Sequence, residues 1–217
     1  MKRDKFTPLA PPQKPLLILL SGLSGAGKDT VLDGLRKSGL NPYISVSATT
    51  RAPRAAEKEG VDYYFVSREK FREMIDSGQL LEWAKVYGNL YGRPREPIRR
   101  ALKEGRDVIV RLDVQGAATY KKLLPGAVSI FLVTYCLADL EKRLKKRGTE
   151  SAEELELRLK TAEKEMAQLE TFDYIVVNRE DAVEQTIKAI MAIIAAEKCR
   201  IGRPDILVSR AVRKKRG

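Results

Sequence analysis

The residues best suited to chemistry fall into two groups. In the first, Gly22-Leu23-Ser24-Gly25-Ala26-Gly27 runs into Lys28, Asp29 and Thr30. Gly22, Gly25 and Gly27 carry no Cβ, so the backbone can curl tightly and approach a ligand closely. Successive N–H groups of such a loop converge on phosphate oxygens, and the partial positive charge of a following helix N-terminus adds to them. Lys28 supplies a full positive charge where the β- and γ-phosphates of a nucleotide would lie. The spacing Gly22-x4-Gly27-Lys28 is that of a P-loop. That motif places Ser or Thr after the lysine to hold Mg²⁺; here Asp29 stands there and Thr30 comes one later. The second group is Arg51 and Arg54, on a short polar segment around Pro53, with Tyr63 and Tyr91 downstream. Two guanidinium forks and two phenols suit a phosphomonoester dianion. Taken singly, each arginine reads as a solvated surface charge, and its value comes from order and company.

The elements that must position these groups follow from patterning. Leu16 to Leu20 is an unbroken apolar run, as in a strand buried on both faces. The helix after the loop carries Val31, Leu32 and Leu35 on one face and is expected to stop at Gly39. Residues 1–14, with Pro8, Pro11 and Pro12, read as an extended or disordered arm. Tyr43 to Ser47 alternates like one strand, Asp62 to Val66 like another, and Ser67 is expected to cap a helix reaching about Ser77. Leu80 to Tyr87 reads as a strand, and Gly88-Asn89 as a turn into Leu90-Tyr91-Gly92. Strands are expected at 107–113, 128–133 and 174–177. Helices are expected at 116–124, at 137–147 with a stop at Gly148, from the capping box Ser151-x-x-Glu154 onward with Leu155, Leu159, Ala162, Met166 and Leu169 inward, and over 183–194. Alternating strands and helices imply an α/β protein whose parallel sheet is flanked by helices. Residues 43–95 read as a small lobe inserted beside that sheet.

The totals bound the answer. The 217 residues suffice for one substantial core, and 43% hydrophobic with 32% charged residues fits a globular protein. A net charge of +12 points to polyanionic partners, either phosphates or nucleic acid. The absence of histidine excludes His-based triads, metal sites and proton shuttles, and Cys136 and Cys199 are too few for a disulfide framework or metal cluster. A reducing, cytoplasmic setting is expected. No apolar run approaches a membrane span. From Cys199 the pattern fades into a flexible basic tail, Arg210 to Arg216, read as a solvated end.

Six separated motifs now become informative together: Ser47-Ala48-Thr49-Thr50-Arg51-Ala52-Pro53-Arg54, Asp62-Tyr63-Tyr64-Phe65, Glu82-Trp83-Ala84, Gly88-Asn89-Leu90-Tyr91-Gly92, Asp113-Val114-Gln115-Gly116 and Arg147-Gly148-Thr149-Glu150. In content and order the chain resembles guanylate kinases from about Leu16 to Ile194. The resemblance implies a P-loop NTPase fold with an inserted GMP-binding lobe at 43–95 and a helical lid at 143–160, all within residues 1–198, followed by the tail at 199–217. It implies transfer of the ATP γ-phosphoryl group to GMP or dGMP. Gly22 to Thr30, Arg143, Arg147 and Asn178 would bind ATP; Asn178 also reads simply as a helix cap. Ser47, Arg51, Arg54, Tyr63, Glu82, Tyr91 and Asp113 would bind GMP, with Glu82 accepting from the guanine N1–H and N2 amino groups. Lys28, Arg51, Arg147 and Arg158 would act on the transferring group. Mg²⁺ would be held mainly by the ATP phosphates, with Asp29 or Thr30 as the protein ligand. The GMP phosphate is itself the anionic nucleophile, its second pKa being about 6, so no histidine base is needed. ATP and GMP are the expected partners, with no membrane and no nucleic acid beyond weak binding by the tail; the oligomeric state is left open.

Three positions depart from the family pattern. Asp29 replaces the usual Ser or Gly, Arg93 follows Tyr91-Gly92 where Ser or Thr is usual, and Arg111 replaces an acidic residue two before Asp113. The last two put positive charge near the acceptor pocket. Ribose 1,5-bisphosphate phosphokinases share the fold and often carry Gly-Lys-Asp in the loop, which keeps them as an alternative. A non-catalytic guanylate-kinase-like binding module is a second, and a nucleic-acid-binding protein, resting on charge alone, is a third.

Overall fold

A computed structural model describes residues 13–86, 88–147 and 152–206. The arm before residue 13, the Gly148 helix stop, the capping box at Ser151 and Glu154, the Arg147 side chain and the tail beyond residue 206 lie outside the described residues.

The central element is β1 (Leu17–Gly22), and its composition explains its place. Leu17 and Leu19 point into one core cluster and Leu16, Ile18 and Leu20 into another, so both faces of the strand are covered. Full burial of each such side chain stabilises by about 1.5–3 kcal/mol. β1 pairs in parallel with β7 (Val108–Arg111) on one side and β8 (Val128–Val133) on the other. β2 (Tyr43–Ile44) and β9 (Tyr174–Val177) complete a five-stranded parallel sheet ordered β2-β7-β1-β8-β9. Helix α1 (Lys28–Lys37) follows the glycine loop, and α7 (Val183–Lys198) packs beside it. Helices α3 (Arg95–Lys103) and α4 (Val114–Leu123) cover the other face through Ile98, Ala101, Ala117 and Tyr120.

The inserted lobe is a four-stranded sheet, β4-β3-β6-β5, made from β3 (Ser47–Thr49), β4 (Tyr63–Phe65), β5 (Leu80–Val86) and β6 (Asn89–Pro94). Helix α2 (Arg68–Asp76) buries Phe71 and Met74 against it, and Ser67 caps that helix by accepting from the Lys70 N–H at 3.1 Å. Helices α5 (Leu137–Arg147) and α6 (Ala152–Met166) pack on each other, and Leu155, Leu159, Ala162 and Met166 reach the core cluster beneath β1.

Two expectations change. The strand read at Tyr43–Ser47 is two strands in different sheets. Tyr43 and Ile44 join β7, whereas Ser47–Thr49 pairs with β4 and β6, and Ser45-Val46 is the joint between core and lobe. An alternating pattern gives the extended conformation but not the partner. Helix α3 was not read at all, because its short sequence is mostly charged and only Ile98 and Ala101 are buried. Beyond α7 the chain turns back: Arg203 donates to the Lys14 carbonyl at 2.9 Å, and Ile206 packs against the cluster under β7.

Candidate functional site: a glycine loop and an arginine–tyrosine cluster

The glycine loop lies at the carboxyl end of β1, between β1 and α1, in the crevice where open parallel sheets bind ligands. Its conformation admits only glycine at two points. A Cβ on Gly22 would meet the Leu132 carbonyl oxygen at 2.1 Å. Gly27, at φ +86°, is the left-handed N-cap of α1, and a Cβ there would lie 2.6 Å from Asn178 Nδ2. The Lys28 ammonium donates to the carbonyls of Gly22 (2.7 Å) and Leu23 (3.0 Å), which keeps it folded into the loop.

Other elements brace the loop from outside. Asn178, which follows β9 and is 2% exposed, donates from Nδ2 to the Ala26 carbonyl at 2.8 Å and accepts from Thr186 Oγ1 at 3.1 Å. Arg143 of α5 donates to the Asn178 carbonyl at 2.7 Å and to Ala26 at 3.3 Å. Arg158 of α6 donates to Ser24 Oγ at 2.7 Å. Beside this brace lies a cavity of about 300 Å³ lined by Gly25, Gly27, Thr30, Arg143, Lys146, Asn178, Glu180 and Val183. Two of the proposed lid arginines thus meet the phosphate loop.

Sequence reasoning missed Glu165. This carboxyl near the end of α6 is turned toward the Lys28 ammonium, the Ser24 N–H and Asp113, and one of its oxygens is buried with no hydrogen-bond partner among the described residues. Burial pushes its pKa up, Lys28 and the Ser24 N–H pull the other way, and Asp113 adds to the rise. Glu165 lies in an ordinary helical run of charges, so nothing local marks it.

In the inserted lobe the structure brings Arg51, Tyr63 and Tyr91 together. The Arg51 guanidinium lies 5.5 Å from the Tyr63 ring centre, and the Tyr63 and Tyr91 rings meet edge-on at 6.0 Å. Glu57, also missed from sequence, gathers the loop: it accepts from Arg51 Nη2 at 2.7 and 2.9 Å and from the Arg54 N–H at 2.8 Å. The Arg51 fork holds the Glu57 carboxyl below the usual range. The Arg54 residue itself is exposed. Ser47 opens β3 opposite Tyr63. Glu82 falls where the β5–β6 register shifts, a bulge that re-aims side chains. It interacts with the Tyr120 phenol, whose pKa burial pushes up. Asp113 is the N-cap of α4, accepting from the Gly116 N–H at 2.6 Å.

The three departures turn out to be connected. Arg93, 6% exposed, donates to the Ser45 carbonyl and Oγ, both at 3.1 Å, and to the Arg111 carbonyl at 3.0 Å. It therefore ties lobe strand β6 to the core–lobe joint and to the end of β7. The Arg111 side chain in turn pairs with Asp29 at the start of α1.

The chemistry of the residues after Lys28 fits Mg²⁺. Among the described residues no group of three or more His, Cys, Asp or Glu could hold a metal ion. Asp29 and Thr30, both exposed beside Lys28, offer oxygen donors of the kind Mg²⁺ prefers, the remaining ligands being phosphate and water.

Fold and glycine loop are those of a P-loop phosphotransferase with an inserted second sheet. The family model described as "Guanylate kinase" matches residues 14–197. The chain belongs to the guanylate kinase family. It is 45% identical over 188 residues to the guanylate kinase of Caldanaerobacter subterraneus subsp. tengcongensis, covering 87% of this chain and 90% of that protein. Identity is likewise 45% to the guanylate kinase of Halalkalibacterium halodurans, covering 87% and 91%. The crystal structure of guanylate kinase from Anaplasma phagocytophilum superposes with a TM-score of 0.66 at 34% identity, covering 88% of this chain and 89% of that one. No helix among the described residues is long and apolar enough to cross a membrane.

Proposed function

We propose that this chain transfers the γ-phosphoryl group of ATP to GMP, giving ADP and GDP. The observation that supports the reading is the presence in one chain of two groups suited to anions: the glycine loop with Lys28, and the Arg51–Tyr63–Tyr91 cluster on the inserted lobe. The loop N–H groups and Lys28 cradle the β- and γ-phosphates, and the cavity beside Asn178 takes the nucleoside end of ATP. Arg51 and the two phenols hold the GMP phosphate, with Arg54 joining from the same loop. Glu82, an acceptor, reads the N1–H and N2 amino group of guanine, a donor pair that adenine does not offer. Ser47 and Asp113 belong to the same acceptor site.

Little covalent work falls to the protein. The attacking oxygen belongs to the GMP phosphate, which is already anionic, so catalysis is alignment plus neutralisation of charge. Lys28, Arg143, Arg147 and Arg158 supply that neutralisation from the loop and the lid. Asp29 or Thr30 would be the protein contact for Mg²⁺ bound with the nucleotide, which would supply neutralisation of phosphate charge.

A coupled ADP-release assay with ATP and Mg²⁺ tests the reading. The acceptors are GMP, dGMP, AMP, UMP and ribose 1,5-bisphosphate, with Lys28→Ala as the blank. Lys28-dependent turnover with the guanine nucleotides alone is expected. Turnover with ribose 1,5-bisphosphate in their place, or none with any acceptor in folded protein, would sink the proposal.

A further inference from the structure

The Asp29–Arg111 pair lies where a P-loop enzyme places its metal-linked groups, but with the charges exchanged. In P-loop NTPases the residue after the loop lysine is a hydroxyl, and a carboxylate from a neighbouring strand stands by the metal. Here the carboxylate comes from the first turn of α1, and the neighbouring strand end contributes a guanidinium. Arg111 is opposite Leu20 in the parallel β7–β1 ladder, so its side chain leaves the sheet at the carboxyl edge beside the glycine loop. Its backbone is fixed from behind, because its carbonyl accepts from the buried Arg93. The side chain is paired with Asp29.

We propose that Arg111 is a resident counter-cation for Asp29, and that a divalent metal arriving with the nucleotide takes its place on the carboxylate. The inference rests on the proposed ATP site. Two observations support it. Asp29 and Arg111 side chains are 70% and 43% exposed, so their pairing is of the screened, weakly held kind that a divalent ion can exchange. No other described carboxylate lies on α1's first turn beside Lys28, since Asp29 is the single acidic residue there. Arg111 is then a positioning residue: it holds Asp29 turned toward β7 and sets how tightly the metal is taken.

The test measures ATP binding to the full-length protein by titration calorimetry, with Mn²⁺ and in EDTA, for wild type, Asp29→Asn, Arg111→Gln and Arg111→Lys. Linkage makes the ratio of the two dissociation constants a measure of metal engagement, independent of turnover. Removing the competing cation should raise that ratio for Arg111→Gln by about two- to fivefold, through tighter binding with Mn²⁺ and unchanged binding in EDTA. Arg111→Lys should stay near wild type. Asp29→Asn should lower the ratio on the order of tenfold. A ratio that falls or stays constant in Arg111→Gln overturns the exchange, as does an unaltered ratio in Asp29→Asn. Thermal melts confirm that the variants are folded. Absence of ATP binding by wild type would instead refute the function proposed above.

Discussion

Asn178→Ala provides the sharpest test of how the phosphate loop is held. The side chain makes two hydrogen bonds, Nδ2 to Ala26 at 2.8 Å and Thr186 Oγ1 to Oδ1 at 3.1 Å, and it is 2% exposed. Neither partner is orphaned by its loss. Ala26 keeps Arg143 at 3.3 Å, and Thr186 keeps the carbonyls of Val177 at 3.3 Å and Ala182 at 3.5 Å. The cost is therefore close to two net bonds, about 2 kcal/mol in all. For a chain of this size that lowers Tm by about 4–8 °C. Because the lost anchor is on the loop, the ATP KM should rise several-fold while the GMP KM stays within about twofold, each change of 1.4 kcal/mol being a factor of ten. Differential scanning calorimetry and initial-rate kinetics read both. An unchanged Tm, or equal changes in the two KM values, would refute the idea that Asn178 braces the loop.

Other substitutions probe other links. Arg93→Ala removes the donor to the buried Ser45 carbonyl and to the part-buried Arg111 carbonyl and should destabilise by about 2–3 kcal/mol, read as a fall in the urea midpoint with an unchanged slope. Glu57→Gln should raise the GMP KM about three- to tenfold with little effect on ATP, because the two-point hold on Arg51 is lost. Arg158→Ala should lower kcat about 10³-fold, in the range of other arginines that neutralise a transferring phosphoryl group. Glu165 has a folded-state pKa raised by burial, so its contribution favours the fold below the ordinary glutamate range and is lost as pH rises through the raised pKa. Glu165→Gln should consequently be more stable than wild type at pH 7 and lose that advantage towards pH 4, as measured by Tm against pH.

Much of the site was legible from local spacing. The glycine loop, the apolar run before it and the lysine after it are covalent neighbours, so their order alone fixes a strand, a tight turn and a helix start. Arg51, Arg54 and Tyr63 lie within one short stretch, and the alternation of strand and helix patterns left few topologies for the core. What sequence could not supply was pairing across distance. Tyr43–Ile44 and Ser47–Thr49 look like one strand, and only the available edges of β7, β4 and β6 assign them to two sheets. Asp29 and Arg111 are 82 positions apart and look like two unrelated departures, whereas the parallel register of β1 and β7 makes them neighbours. Asn178 and Ala26 are 152 positions apart, and Glu165 meets Lys28 only because α6 packs over the loop. Backbone preference and hydrophobic period act over a few residues and are written in the chain. A charge or a hydrogen-bond donor has no period, and its partner is chosen only when packing brings distant segments together.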